Sequence, residues 1–275
     1  MNILTFDLEE WYIYQLYPKG GKDYYLPLLD RYLNEVLDML SQQQLNATFF
    51  CLGMVAKEYP DVIKKIARQG HEIGCHSDQH QWVTALTPEL FYRDTKNAID
   101  ALENIIGKKV QGYRAPAFSI GRSTQWALPI LKEVGIEYDC SIFPTNRDFG
   151  GFPGFQENSP CIISYNNKAI KEFPISTHSV LGKQIAYSGG GYLRLLPYAF
   201  IRSFMLKEPY VMSYCHIRDF DAEQKRMLNL RYFKNYYGIQ HAFMKLSRLI
   251  HDFEFMSVEA ANRTIDWAAV PIVQL

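Results

Sequence analysis

Two of the chain's 7 histidines stand four residues apart, His76 and His80 in GCHSDQHQW, directly after a short run, HEIGC, that reads as a buried strand. H-x-x-x-H spacing sets both imidazoles on one face of a helical turn, or brings them together across a loop that folds back. Either arrangement chelates one ion. Two hydrogen-bonded loop histidines would give the same letters, so a metal reading needs a third ligand. The stretch FDLEEW, closing the first apolar run, offers Asp7, Glu9 and Glu10.

Whatever positions these groups must be built from an alternation of two apolar periods. Strand-like runs are ILTF (3–6), ATFFCL (47–52), HEIGC (71–75), VQGYR (110–114), IEYDCS (136–141), KEFPIS (171–176), YVMSYC (210–215) and FEFMSV (253–258). Between most of them lie helical patterns. The clearest carries Leu28, Leu29, Tyr32, Leu33, Val36, Leu37 and Leu40 on one face. Others cover about 54–69, 88–106, 123–134 and 230–250, and Gly70, Gly107 and Gly135 stand where left-handed caps belong. Strand and helix in alternation predict an α/β protein of parallel βαβ units, an irregular or incomplete (β/α) barrel of about seven or eight parallel strands. Residues 142–170 break the rhythm and read as a long excursion; SGGGYLRLLPY (188–198) is a second irregular stretch. Asp7, His76, Arg114, Asp139, His178 and His216 all fall at or near the C-terminal ends of the expected strands. In a parallel barrel those ends meet on one face, where active sites are built. Scattered structural polar residues would have no reason to share that position.

Composition narrows the class. The chain has 275 residues, 48% hydrophobic and 21% charged, enough for a sizeable core. Lys+Arg and Asp+Glu both number 29, so no basic excess points to nucleic acid. An aromatic share of 15% suits stacking on sugar rings and a large aromatic core alike. The first residues reach an acidic group at Asp7 and lack the pattern of a signal peptide, and no run has the length of a membrane span. The five scattered cysteines read as small buried hydrophobes rather than a disulfide framework. These features predict a cytoplasmic location. Nothing in the sequence sets the oligomeric state, so a homo-oligomer stays open.

Taken together, TFDLEEW (5–11), HSDQH (76–80), YRAPAFS (113–119), YDCSIFP (138–144) and SYCHIRDFD (213–221) resemble, in order and spacing, the five motifs of the polysaccharide deacetylases of NodB type, carbohydrate esterase family four. The resemblance runs from about residue 3 to 258. It implies a single domain over 1–275, a divalent metal with Zn²⁺ first, and an N-acetylated glycan or glycan precursor as substrate. EFPIS (172–176) and GGGYLRLLP (189–197) further suggest a branch acting on exopolysaccharide or cell-envelope glycans. It also implies Asp7 as catalytic base, Arg114 beside it, His76 and His80 as ligands and His216 as general acid, with Asp139 able to hold His216. His178 is a rival acid or a substrate contact. One departure stands out: Leu8 occupies the place where the family commonly has a second acid. Strand alternation puts Asp7 and Glu9 on one side and Leu8 and Glu10 on the other. Glu9 is therefore the expected ligand, with Glu10 or a two-ligand site as alternatives. Trp11, Tyr12, Pro116, Phe118 and Tyr192 are candidate sugar contacts, and for Phe118 core packing is an equal alternative. Two other functions keep the same fold: hydrolysis of another C–N bond in a small molecule, and sugar binding without turnover.

Overall fold

The computed structural model describes residues 1–9, 22–147, 150–180, 182–223 and 236–275, and for 22–30 and 183 the backbone alone. Seven strands run parallel: β1 (Asn2–Leu8), β2 (Thr48–Cys51), β3 (Glu72–Cys75), β4 (Gly112–Tyr113), β5 (Tyr138–Asp139), β7 (Lys168–Glu172) and β10 (Val211–His216). Their order is β10-β1-β2-β3-β4-β5-β7. Antiparallel β6 (Cys161–Tyr165) pairs with β7, and β11 (Ile272–Gln274) adds in parallel to β6. A separate hairpin is formed by β8 (Thr177–Val180) and β9 (Lys183–Ala186). The helices are α1 (Lys22–Gln42), α2 (Gly53–Glu58), α3 (Pro60–Arg68), α4 (Pro88–Ile106), α5 (Ala127–Glu133), α6 (Gly190–Leu195), α7 (Tyr198–Met205), α8 (Ala242–Asp252) and α9 (Val258–Thr264).

Both faces of the parallel run are buried, which is why its strands read as continuous apolar stretches. Leu4, Phe6, Leu8, Phe49 and Cys51 join the larger core cluster, together with residues of α1, α2, α3 and α4. The alternate positions Ile3, Phe50, Tyr138, Cys140, Met212 and Tyr214 form a second, inner cluster. Period two therefore sends Thr5, Asp7 and Glu9 to the inner side with Ile3. Among the described residues no ladder joins β10 to β7. Side chains span that seam instead: Ser176 Oγ accepts from Met212 N at 2.7 Å, and the Tyr210 hydroxyl donates to Pro174 O at 2.8 Å. The result is an irregular curled sheet, as the alternation predicts.

Several boundaries move. The strand expected over 171–176 ends at Glu172, just before a segment containing Pro174, which has no N–H for a ladder. FEFMSV makes a single bridge, Met256 to Ile3, rather than an eighth parallel strand. The helix expected over 54–69 breaks between Glu58 and Pro60, because proline cannot supply the N–H a continuing helix needs. The excursion at 142–170 holds the β6–β7 hairpin, and Gly189–Gly191 leads into α6. Gly70, Gly107 and Gly135 do carry left-handed φ values of 86°, 68° and 95°.

Candidate metal and catalytic site

β1 lies between β10 and β2, and its register sets Asp7 beside His216 and Phe50. Arg114 follows β4 directly and is fully buried on the inner side. Its Nη1 donates to Asp7 Oδ1 at 2.7 Å and to Thr5 Oγ1 at 2.7 Å, its Nε to Cys140 O at 3.3 Å, and its guanidinium lies 4.2 Å from the Phe50 ring centre. A buried cation makes its carboxylate partner's charge tolerable in a place where neither would survive alone.

Glu9 and His76 stand one position beyond β1 and β3, and the loop after β3 brings His80 to them. Glu9 Oε2 is 3.1 Å from His76 Nε2 and 2.7 Å from His80 Nε2. All three can offer ligand atoms lying within 4.8 Å of one another. The chemistry of this donor set fits a divalent ion. His76 Nδ1 is 2.8 Å from the Arg114 carbonyl, which only accepts, so that nitrogen carries a proton and Nε2 is the atom turned towards Glu9. Lone pairs aimed at a carboxylate repel unless a cation or a proton lies between them. Burial works against the charge on Glu9, yet His216, His80 and His76 together hold its carboxyl well below the usual range. Glu10 lies outside the described residues.

The H-x-x-x-H stretch is a loop, not a helical turn. Ser77 and His80 both sit in the left-handed region, at φ 75° and 55°, an uncommon conformation for side chains other than glycine. Hydrogen bonds over-determine it: Asp94 of α4 accepts from Asp78 N at 2.9 Å and Gln79 N at 3.2 Å, and Ser77 Oγ accepts from His80 N at 3.0 Å.

His216 faces the cluster from β10. Its Nε2 is 3.1 Å from Glu9 Oε1 and 4.0 Å from Asp7 Oδ2. Its Nδ1 is 3.1 Å from Asp219 Oδ2, which also accepts from His216 N at 2.9 Å. Burial pulls the imidazole down, but Glu9 and Asp219 outweigh it and raise it to about 9. The carboxyl of Asp219 is pushed up by burial and pulled below its ordinary value by Arg194 and His216.

Here a sequence expectation is corrected. Asp139 does not hold His216; its Oδ1 accepts from Ser141 Oγ at 2.5 Å, and its other partner is Glu172, directly opposite on β7. Burial raises both acids; the neighbouring Asp139 carboxyl pushes Glu172 up further, while the contact with Glu172 pulls Asp139 part of the way back. Strand-end placement alone could not tell which acid a histidine would meet. Asp219 (three residues past His216), Arg194, Thr5 and Glu172 all stand within the motifs quoted above, but the sequence assigns none of them a role. Period-two spacing with Asp7 is the signal that would have found Thr5.

His178 is likewise away from the cluster: its Nδ1 meets Glu208 at 2.7 Å and its ring stacks on Phe204. Pro116 and Phe118 are buried, and Phe118 packs edge-on to Phe143 and Tyr214 in the inner core. Tyr192 packs half-buried against that same cluster. Trp11 and Tyr12 lie outside the described residues.

Comparison with known proteins adds to this geometry. Residues 4–138 match the family model described as "Polysaccharide deacetylase", and residues 140–263 match one described as "Domain of unknown function (DUF3473)". A peptidoglycan-N-acetylglucosamine deacetylase of Bacillus cereus is 36% identical over 133 residues, 44% of this chain and 47% of that protein. A chitooligosaccharide deacetylase of Rhizobium leguminosarum is 34% identical over 68 residues, 25% of this chain and 32% of that protein. The matches thus span less than half the length of these curated relatives. Among solved structures, a Mycobacterium smegmatis protein assigned to the polysaccharide deacetylases superposes with TM-score 0.67 at 18% identity, over 100% of this chain and 92% of that one. A Bacillus anthracis pseudoenzyme of carbohydrate esterase family four gives TM-score 0.54 at 12% identity, over 100% of this chain and 69% of that one. At such identities the likeness is one of fold.

Proposed function

We propose that the chain is a polysaccharide deacetylase of NodB type, as the match over residues 4–138 supports, and that it hydrolyses the N-acetyl group of an amino sugar in a glycan or glycan precursor. The observation that carries this is the meeting of Asp7 and His216 beside the Glu9–His76–His80 donor set, with Asp7 Oδ2 and His216 Nε2 4.0 Å apart. A general base and a general acid next to a Lewis-acid position are what metal-assisted amide hydrolysis uses.

Glu9, His76 and His80 would hold the ion, zinc first on the nitrogen-rich donor set. Bound there, it supplies a Lewis acid that polarises the acetyl carbonyl and activates water. Asp7, held in place by Arg114, takes the proton of the attacking water as oxygen bonds to the acetyl carbon. His216 Nε2 delivers a proton to the sugar nitrogen, the C–N bond breaks, and acetate and free amine leave. Asp219 holds the ring through Nδ1 during that transfer. Arg218, whose Nη2 is 3.9 Å from Glu9 Oε1, adds positive charge where negative charge develops.

The two matched segments form one domain in this reading, since a single sheet takes strands from both. Among the described residues no helix is long and apolar enough to cross a membrane. All five cysteines are buried and none is in a disulfide, which suits the proposed cytoplasmic setting. Sugar binding without turnover is the second reading, and Leu8 in place of a second acid is what favours it.

Metal analysis separates the two when paired with an assay. Wild-type protein purified without added metal or chelator should carry about one divalent ion per chain, and His80→Ala should lose it. The wild type should release acetate from N-acetylglucosamine oligosaccharides. Metal-saturated protein that binds these sugars yet releases no acetate would establish the binding reading instead.

A further inference from the structure

The irregular stretch SGGGYLR (188–194) is not used by the chemistry above, yet it is packed against the strand that carries His216. Ser188 Oγ donates to Met212 O at 3.0 Å. A Cβ on Gly189 would meet Tyr214 O at 2.1 Å, and Gly190, at φ +51°, would press one onto the Tyr214 ring at 2.9 Å. Glycines are required here because the chain runs against β10 with no room for a side chain. The approach delivers α6, and α6 delivers Arg194, which is buried to 7% exposure with its Nε 3.4 Å from Asp219 Oδ1. The other oxygen of that carboxylate holds His216. On the far side, Lys245 Nζ donates to Arg194 O at 2.8 Å, and Gly238, at φ +72°, passes so close that a Cβ would meet the same carbonyl at 2.4 Å.

We propose that this segment is a buttress for the acid, in which Arg194 is a positioning residue that fixes the His216 ring through the Asp219 carboxylate. The role of His216 as acid rests on the deacetylase reading; the geometry of the buttress does not. A carboxylate with one oxygen on an imidazole and the other ion-paired to a guanidinium is restrained at both ends, and the ring inherits that restraint. Residues 140–263, whose family model carries no assigned function, would thus supply both the acid and what aims it.

The test uses ¹⁵N-histidine-labelled, zinc-saturated protein, with the His216 signal assigned from His216→Ala. The wild type should show one sharp Nδ1–H resonance, shifted downfield by its carboxylate. Arg194→Gln should broaden or shift it while the buried His71 signal stays in place, and Arg194→Lys should restore most of it. With an N-acetylglucosamine pentamer, Arg194→Gln should lower kcat about 10–100-fold with KM held within about twofold. An unchanged His216 resonance in Arg194→Gln overturns the proposal, as does a change that moves His71 equally, which would mark general loosening of the fold. A resonance that responds as expected in a protein releasing no acetate upholds the buttress and removes the deacetylase reading.

Discussion

Asp7 commits its two oxygens unequally: Oδ1 accepts from Arg114 at 2.7 Å, while Oδ2 faces His216 from 4.0 Å. The first contact pairs the carboxylate with a buried guanidinium and fixes its plane; the second leaves an oxygen turned to where water and substrate would meet. Asp7→Asn retains the shape and a hydrogen-bond acceptor but loses the proton acceptor. We expect kcat to fall about 10²–10⁴-fold with metal content unchanged, measured by acetate release and mass spectrometry on the same preparation. His71 gives a prediction independent of catalysis. Burial pulls its imidazole from 6.5 down to about 4, so the folded chain keeps it neutral where the unfolded chain is protonated. Its contribution to stability is fully present above 6.5 and is lost as pH falls towards 4. At pH 5 the loss relative to pH 7.5 is roughly 2 kcal/mol. His71→Gln, which preserves an acceptor for the Ala47 N–H, should shrink that pH difference by about the same amount in urea titrations. Equal pH dependence in the two proteins would show that His71 is not held neutral.

Among the elements, the ligand loop is the one whose conformation depends most on distant support. Its two left-handed residues, Ser77 and His80, are uncommon conformers that α4 holds in place through Asp94. The helix itself packs close, since a Cβ on Gly53 would meet Ala98 Cα at 2.7 Å. Removing the Asp94 carboxylate should free the loop without emptying the core. Asp94→Ala is expected to weaken zinc about 10–100-fold in competition with a chromophoric chelator, with near-wild-type melting of the metal-free protein. Unaltered affinity would mean that the loop holds its shape by other contacts. The same loop shows why part of the site was legible and part was not. Strand alternation, a purely local rule, put Asp7 and Glu9 on one side and Leu8 on the other. H-x-x-x-H spacing named the two ligands but left helix or loop undecided, because that depends on Asp94, fourteen residues downstream on another element. The partner of His216 was misassigned for a related reason. Asp139 and Asp219 are both acids near strand ends, and only the turn after β10, which folds Asp219 back onto His216, separates them. Short strands such as β4 and β5, two residues each, were over-extended because apolar runs continue into the loops that line the inner core.

For the whole molecule the question is whether the two matched segments are two folding units. The division between them falls after residue 138, inside β5, which spans Tyr138–Asp139. Domain boundaries lie in exposed linkers crossed by few contacts, and this one cuts a buried strand. The segments also interlock at β1, which pairs with β2 of its own segment on one side and with β10 of the other on the opposite side. Without residues 139–275, β1 would expose a row of ladder groups from Asn2 to Asp7, and the buried inner-facing Ile3 and Phe50 would lose Met212, Tyr214 and Phe173 from their cluster. Unpaired buried backbone groups and lost apolar contacts on that scale exceed the margin by which a domain is stable. The intact chain should therefore unfold in one transition, with near-UV circular dichroism and tryptophan fluorescence superimposing. Residues 1–138 and 139–275 expressed apart should each lack a cooperative transition. A fragment 1–138 that melts sharply by itself would make the first segment a domain in its own right, and would confine the dependence on the second to the supply of His216.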